Sequence, residues 1–343
     1  MSIGFHTLRI AEVKRETPDA VSIRFDLPEP LRSVFTFKAG QHLTLKRTFD
    51  GEELRRNYSL CSAPSEGVLQ IAVKRIGAGV FSRWIDEQAK AGDTLDVMPP
   101  HGSFTWTFDA DSARHYAAFA GGSGITPILS LLKTALASEP HARFTLCYGN
   151  RTSAGIMFLE ELAGLKDRYL ERLQVFHFLE DEQEEIELFN GRLDRAKVDE
   201  ILGALLAPER VDTFFVCGPG PMMDVIEAAL HARDVNKDKI LIERFTTGPL
   251  SSAQADAALA MEQKAAGLKM SVTLNGRRVQ VAFDPAMHSI LDNVRAAGLP
   301  APFACKGGVC ATCRAKVTSG EVSMKVNYGL SEAELAEGLR PSA

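Results

Sequence analysis

The sequence predicts a multidomain protein: an antiparallel β-barrel, then a doubly wound parallel α/β sheet, then a small α+β domain. Three observations predict it. Residues 1–108 are built of short apolar or alternating runs separated by Pro and Gly turns. From about residue 112 the rhythm changes to strand followed by helix. After residue 267 a hairpin and one helix lead into a Gly-rich loop with three cysteines. At 343 residues the chain is too long for a single small core.

In the first part, the alternating N-terminal stretch through HTLRIAEVKRE reads as a strand rather than a signal peptide. VSIRFDL, QHLTLKRTF and VLQIAVKRI follow at the spacing of an antiparallel barrel. In the second part, 109–246, five short apolar runs are expected as strands: RHYAAFA, RFTLCYG, RLQVFHF, DTFFVCG and KILIERF. Helical stretches such as ILSLLKTALA and MMDVIEAALHA lie among them, which is the βαβ rhythm of a parallel sheet. The acidic run 180–187 reads as a solvated loop.

Residues 247–267 lack periodicity and aromatics and read as a linker with some helix. In 268–343, KMSVTLNGRRVQVAF is two strands joined by Asn275-Gly276, a strong hairpin signal. SILDNVRAAG reads as a helix, and a further strand pair is expected around RAKVTSGEVSM.

Composition narrows the function. A net charge of −5 and a pI near 6.0 carry no electrostatic footprint for nucleic acid. No apolar run approaches the roughly 20 residues of a membrane span. A cytoplasmic location is expected, where cysteines serve more as ligands or redox groups than as disulfides. No Glu-x-x-His occurs, so oxygen activation at a di-iron bundle site is expected on another polypeptide.

Cys305, Cys310 and Cys313, in PFACKGGVCATC, have the x4-then-x2 spacing of plant-type two-iron two-sulfur loops. The other cysteines, Cys61, Cys147 and Cys217, lie far upstream. Two glycine turns follow predicted strands. AGGSGITP holds Gly121, Gly122, Gly124, Thr126 and Pro127, with Pro127 suited to a first helical turn. CGPGPMM holds Cys217, Gly218, Pro219 and Met222. Both turns fall at strand carboxyl ends, where open α/β sheets bind ligands on helix N-termini. In YGNRTS, Arg151 and Thr152 stand where an Arg favours the 2′-phosphate of NADP and an acidic residue favours NAD. NADPH is the expected donor, with NADH second.

RRNYSLCSAP resembles the Arg-x-Tyr-Ser flavin signature of the ferredoxin-NADP reductase superfamily. That resemblance implies FAD: Arg56 on the pyrophosphate, Tyr58 on the isoalloxazine and Ser59 on its rim. It places Val73, Lys74 and Arg75 beside the flavin. The turn from Gly79 through Phe81 to Ser82 would offer N–H groups to the pyrophosphate. It places Thr126 and Cys217 near the nicotinamide ring, although a buried Cys217 also suits plain packing. Phe245 would cover the flavin face, with Glu243 as its polar neighbour.

The order barrel, nicotinamide domain and β-grasp ferredoxin domain resembles the reductase components of bacterial multicomponent oxygenases. FDGEELRRNYS, YGNRTS, FACKGGVCATC and NYGLSEAELAEG resemble, more narrowly, the reductase subunits of phenylacetyl-CoA epoxidases. This implies a relay from NADPH through FAD and a 2Fe-2S cluster to a di-iron oxygenase of phenylacetate degradation. In that family a fourth Cys and a closing strand follow the AEG stretch. Here GLRPSA follows, and the family's Cys falls on or near Ala343, so the domain is expected to lack its end and the cluster to be weakly held. Ser342 is not expected to replace the missing ligand. Other readings are a reductase for a different oxygenase or hydroxylase, a stand-alone diaphorase, and a zinc-binding module; the last conflicts with the cysteine spacing.

Overall fold

The computed structural model describes residues 4–245 and 252–343. They form two compact units, divided after Glu243.

The first unit begins with the barrel. Its strands are β1 (His6–Thr17), β2 (Ala20–Asp26), β3 (His42–Phe49), β4 (Glu52–Ser59), β5 (Leu69–Lys74) and β6 (Thr94–His101), with helix α1 (Val80–Glu87) between the last two. All pairs are antiparallel, in the order β4-β3-β6-β1-β2-β5. A bridge from Leu60 to Ile71 brings the run after β4 against β5 and closes the ring, removing the free edges. Inward positions alternate along the strands: Leu8 and Ile10, Ile23 and Phe25, Leu43 and Leu45, Ile71 and Val73 are all buried. Each such side chain contributes roughly 1.5–3 kcal/mol. Helix α1 adds Phe81, Trp84 and Ile85 to this core.

The second half of the unit carries β7 (His115–Gly121), α2 (Ile125–Ser138), β8 (Arg143–Asn150), α3 (Leu159–Arg168), β9 (Leu173–Leu179), α4 (Arg195–Ala204), β10 (Thr213–Cys217), α5 (Gly220–His231) and β11 (Ile240–Glu243). The strands run parallel in the order β11-β10-β7-β8-β9. Their apolar runs are nearly continuous because helices cover both faces. Growth of the sheet reverses at β7, so the crevice outside the carboxyl ends of β7 and β10 is the switch point where this architecture binds ligands. Barrel and sheet are tied together: Ser130 Oγ donates to the Ser62 carbonyl at 2.6 Å. Lys133 Nζ, on α2, pairs with Glu66 at 3.0 Å and Glu161 at 2.8 Å.

In the second unit, α6 (Ser252–Ala265) occupies most of the stretch expected to be a linker; residues 247–251 of that stretch lie outside the described residues. The hairpin is present as β12 (Lys269–Leu274) and β13 (Arg277–Ala282), with Asn275 and Gly276 at φ 51° and 79°. Those two left-handed residues are what a type I′ turn requires. Helix α7 (Ile290–Ala296) is capped by Ser289, whose hydroxyl accepts from the Asp292 N–H at 3.1 Å. The expected hairpin around RAKVTSGEVSM does not form. Instead β14 (Arg314–Lys316) pairs with β15 (Leu339–Pro341), and α8 (Glu332–Ala336) with its Ser331/Glu334 capping box leads the chain back. β14 therefore has a paired edge. Ser342 extends the contact, its N–H and Oγ donating to the Cys313 carbonyl at 3.2 and 2.7 Å.

Candidate functional site

The sequence-predicted flavin residues lie at the end of β4 and on the β5–α1 connection. Register puts Ser59 opposite His42, Tyr58 opposite Leu43 and Arg56 opposite Leu45. Arg56 is exposed, and its Nη1 donates to the Arg55 carbonyl at 2.7 Å. Tyr58 is half-buried with its ring 6.1 Å from that of Phe81, and burial pushes its phenol up. Ser59 is buried, and its hydroxyl has no hydrogen-bond partner among the described residues. Its cross-strand neighbour His42 is also buried, with Nε2 unpartnered. Two buried polar atoms on paired residues thus have no partner within the chain and are left to an external polar group.

His42 is the residue that the sequence-based reading missed. Its Nδ1 lies 3.7 Å from Glu243 Oε1, at the end of β11, and its ring packs edge-on against His101 at 4.3 Å. Burial, then the neighbouring His101, hold its pKa well below the ordinary value. No periodicity distinguishes His42 from a plain strand residue, so the only signal is its partner, which lies far downstream.

The β5–α1 connection divides the predicted residues by role. Val73 and Phe81 point into the barrel core. Arg75 is engaged with Asp86 at 3.5 Å and Glu87 at 3.0 Å. Lys74 Nζ pairs with Asp19 at 3.6 Å. It also faces the turn after β8, since a Cβ on Gly155 would lie 3.9 Å from it. The first-turn N–H groups of α1 have no side-chain cap. A Cβ at Gly79 would sit 2.5 Å from Ile76 Cγ1 and 2.6 Å from Ser82 Oγ, so only glycine leaves this cradle open. The Ser82 hydroxyl itself donates to the Gly79 carbonyl at 3.1 Å and accepts from the Ile76 N–H at 3.3 Å, so it shapes the cradle from within.

At the switch point the two glycine turns touch. A Cβ on Gly124 would fall 2.1 Å from the Cys217 carbonyl oxygen, and one on Gly121 would fall 2.7 Å from Pro219 and 2.8 Å from Met222 Sδ. Gly218 is as tightly placed, against Met222 and the Gly121 backbone. Gly122 adopts φ 51°. Thr126 Oγ donates to the Ser123 carbonyl at 3.0 Å, and Pro127 sits in the first turn of α2. Cys217 is fully buried, and burial together with the Glu243 charge pushes its thiol well up, keeping it neutral. Cys217 pairs with Glu243 across β10 and β11. Glu243 thus joins the glycine turns to His42 and Ser59. Phe245 lies beyond the break, half-buried in the second unit.

The turn after β8 differs from expectation. Arg151 is exposed but paired, with Nη2 and Nε at 2.9 and 3.0 Å from Asp181 Oδ2. Thr152 is half-buried beside it. Glu182 Oε1 accepts from the Ser153 N–H at 3.0 Å and its hydroxyl at 3.2 Å. The start of the acidic run is therefore docked on this turn rather than solvated.

In the second unit the cysteine loop is tightly wound, with Lys306, Gly308 and Ala311 at φ 53°, 69° and 51°. Cys305 Sγ accepts from the N–H groups of Gly307 at 3.3 Å and Cys310 at 3.4 Å. Hydrogen bonding with Cys305 pulls the Cys310 thiol down to about 5, while the same contact and burial push Cys305 up. Amide N–H groups donating to the Cys305 sulfur are the kind of contact that surrounds an iron–sulfur ligand. Cys313 is buried nearby in sequence, yet among the described residues no three Cys, His, Asp or Glu side chains are gathered closely enough to hold a metal ion. Ser342 Oγ is directed to a carbonyl, not offered as a ligand.

Comparison with known proteins agrees with this division. Residues 7–106 match the family profile of the oxidoreductase FAD-binding domain, 119–228 the oxidoreductase NAD-binding domain, and 272–342 the 2Fe-2S iron-sulfur cluster binding domain. The chain is 43% identical over 334 residues to one of the subunits of the 1,2-phenylacetyl-CoA epoxidase of Escherichia coli K12, covering 97% of this chain and 92% of that one. It is 33% identical to the ferredoxin reductase component of the 3-ketosteroid-9-alpha-monooxygenase of Rhodococcus rhodochrous, covering 93% and 87%. Among solved structures it resembles the Amycolatopsis cytochrome P450 reductase GcoB, with a TM-score of 0.62, 26% identity and 71% of each chain covered.

Proposed function

We propose a function from one premise: this chain belongs to the ferredoxin reductase superfamily, among the oxygenase reductase components that join FAD-, NAD- and 2Fe-2S-binding domains. It is an oxidoreductase of that class, and its electron acceptor is an oxygenase. The finer reading is that it serves a di-iron epoxidase acting on phenylacetyl-CoA, with NADPH as donor.

Bound flavin supplies the exchange between a hydride and single electrons, and a 2Fe-2S centre supplies one-electron transfer. The chain's own residues do the rest. Arg56, exposed on β4, and the uncapped first turn of α1 would hold the flavin pyrophosphate. Ser59 and His42, beside Glu243, would offer their unpartnered polar atoms to the flavin ring. The contacting turns of Gly121–Gly124 and Cys217–Gly218 would hold the nicotinamide nucleotide, and they leave no room for a side chain between them. A neutral, buried Cys217 adds no charge there and excludes water. Cys305, Cys310 and Cys313 would be the cluster's protein ligands; the first two already stand in contact, whereas Cys313 is not gathered with them into a metal-holding group among the described residues.

The observation that carries the reading is the orphaned Ser59–His42 pair at the sheet's switch point. Its test is flavin retention. Arg56→Ala loses a charge-assisted pair worth roughly 1.5–3 kcal/mol, so FAD should bind about tenfold or more weakly in a fluorescence titration. Unchanged FAD affinity would remove Arg56 from the site. Coupling to the partner is read by NADPH consumption that depends on phenylacetyl-CoA, using the epoxidase oxygenase component against a Rieske oxygenase component.

A further inference from the structure

The docked acidic run has a consequence for cofactor choice. Past the ends of β8 and β9 the parallel pairing continues, with the Glu180 N–H on the Asn150 carbonyl at 3.0 Å and the Asp181 N–H on the Arg151 carbonyl at 2.8 Å. Arg192 pairs with Glu180 and helps hold the strand extension. Two carboxylates are thereby carried onto the turn. Asp181 accepts from Nε and Nη2 of Arg151, and Glu182 accepts from the backbone N–H and the hydroxyl of Ser153. A guanidinium, a backbone amide and a hydroxyl converging on anionic oxygens are the donors a phosphate monoester uses.

We propose that Asp181 and Glu182 form an internal anion seated on the adenosine 2′-phosphate subsite, and that they set how strongly the chain distinguishes NADPH from NADH. The inference rests on the reading of Arg151 as the 2′ contact. A 2′-phosphate must displace both carboxylates to reach Arg151 and Ser153. An unphosphorylated ribose leaves them in place, and its 2′-hydroxyl can donate to one of them. The Arg151 side chain is 81% exposed and that of Asp181 42%, so the pair is screened and weak. The carboxylates therefore gate the subsite without closing it. The parent uses both cofactors, and its preference for NADPH is blunted compared with a turn carrying Arg151 alone.

The test is calorimetric titration of the full chain with 2′,5′-ADP, which carries the 2′-phosphate, and with 5′-AMP, which does not. In Asp181→Asn/Glu182→Gln, the Arg151–Asp181 ion pair and the Glu182 carboxylate on Ser153 no longer compete, so 2′,5′-ADP should bind about tenfold more tightly while 5′-AMP stays within about twofold. Raising the salt should shrink that gain. If the double variant does not fold, each single variant should give a smaller gain of the same sign. In Arg151→Ala, 2′,5′-ADP should weaken and 5′-AMP should not. Weaker 2′,5′-ADP binding in Arg151→Ala, with no gain in the amide variants, overturns the internal anion and leaves the Arg151 reading standing. Unchanged 2′,5′-ADP binding in Arg151→Ala removes the 2′ reading, and the proposal with it.

Discussion

His42 shows how much a single buried side chain can report. Its imidazole is sealed from water, packed on His101 and placed 3.7 Å from Glu243, and burial keeps it neutral in the folded state. In the unfolded chain it would titrate near its ordinary value of 6.5. Between that value and its lowered folded pKa the unfolded state binds more protons, so acidification favours unfolding. The stability present above about pH 6.5 should therefore fall as the pH drops below it. Thermal melts across this range should show a steeper loss in the parent than in His42→Gln. An identical slope in both would mean that His42 is not held neutral. The sequence carries no trace of this role, because QHLTLKRTF reads as an ordinary strand and Glu243 is remote. Arg56, Tyr58 and Ser59 could be proposed from the sequence because the motif that suggests them is contiguous.

At the scale of elements, the parallel sheet turns two glycine loops into one surface. The contact of Gly124 with the Cys217 carbonyl follows from β7 and β10 being neighbours, with Ala120 opposite Cys217. Gly124→Ala would place a methyl 2.1 Å from that oxygen, and backbone on both sides cannot yield easily. Overpacking of this kind costs about 1–3 kcal/mol. The variant should melt earlier in denaturant and bind NADP+ more weakly, while FAD binding to the barrel is largely kept. Full stability and full nucleotide affinity would show that the two turns are not held together in solution. The last strand teaches a different lesson. β15 spans three residues, too few for periodicity to register, and its partner β14 lies on the far side of α8. The sequence instead suggested a local hairpin at Ser319-Gly320, which does not form. Pairing with β15 is favoured because it also satisfies the Cys313 carbonyl through Ser342 and ties Ser342 to the Leu291 N–H at 2.7 Å.

At the scale of the molecule, electron uptake and electron delivery belong to separate units. The first has its own barrel and sheet cores, and the second holds the cysteine loop. Loss of the cluster should then leave flavin chemistry intact. Cys310→Ser removes the thiol that Cys305 contacts, so whatever iron–sulfur absorption the parent carries should be lost. NADPH-driven ferricyanide reduction should stay within about twofold of the parent, because a folded first unit supplies it. A parallel loss of both activities would contradict this separation. Among the described residues no helix is long and apolar enough to cross a membrane.

The sequence by itself determined the order of three domains, the two glycine turns at strand ends, the Asn275-Gly276 hairpin and the cysteine loop. Each is written in adjacent residues whose chemistry or backbone preference acts locally. Tertiary structure alone decided that His42 meets Glu243, that Gly124 abuts Cys217, that Asp181 and Glu182 cover Arg151 and Ser153, and that β15 closes on β14. These contacts join distant segments through strand order and register. Such pairing depends on which strands lie side by side, a choice made by burial over the whole sheet and not recorded at either partner.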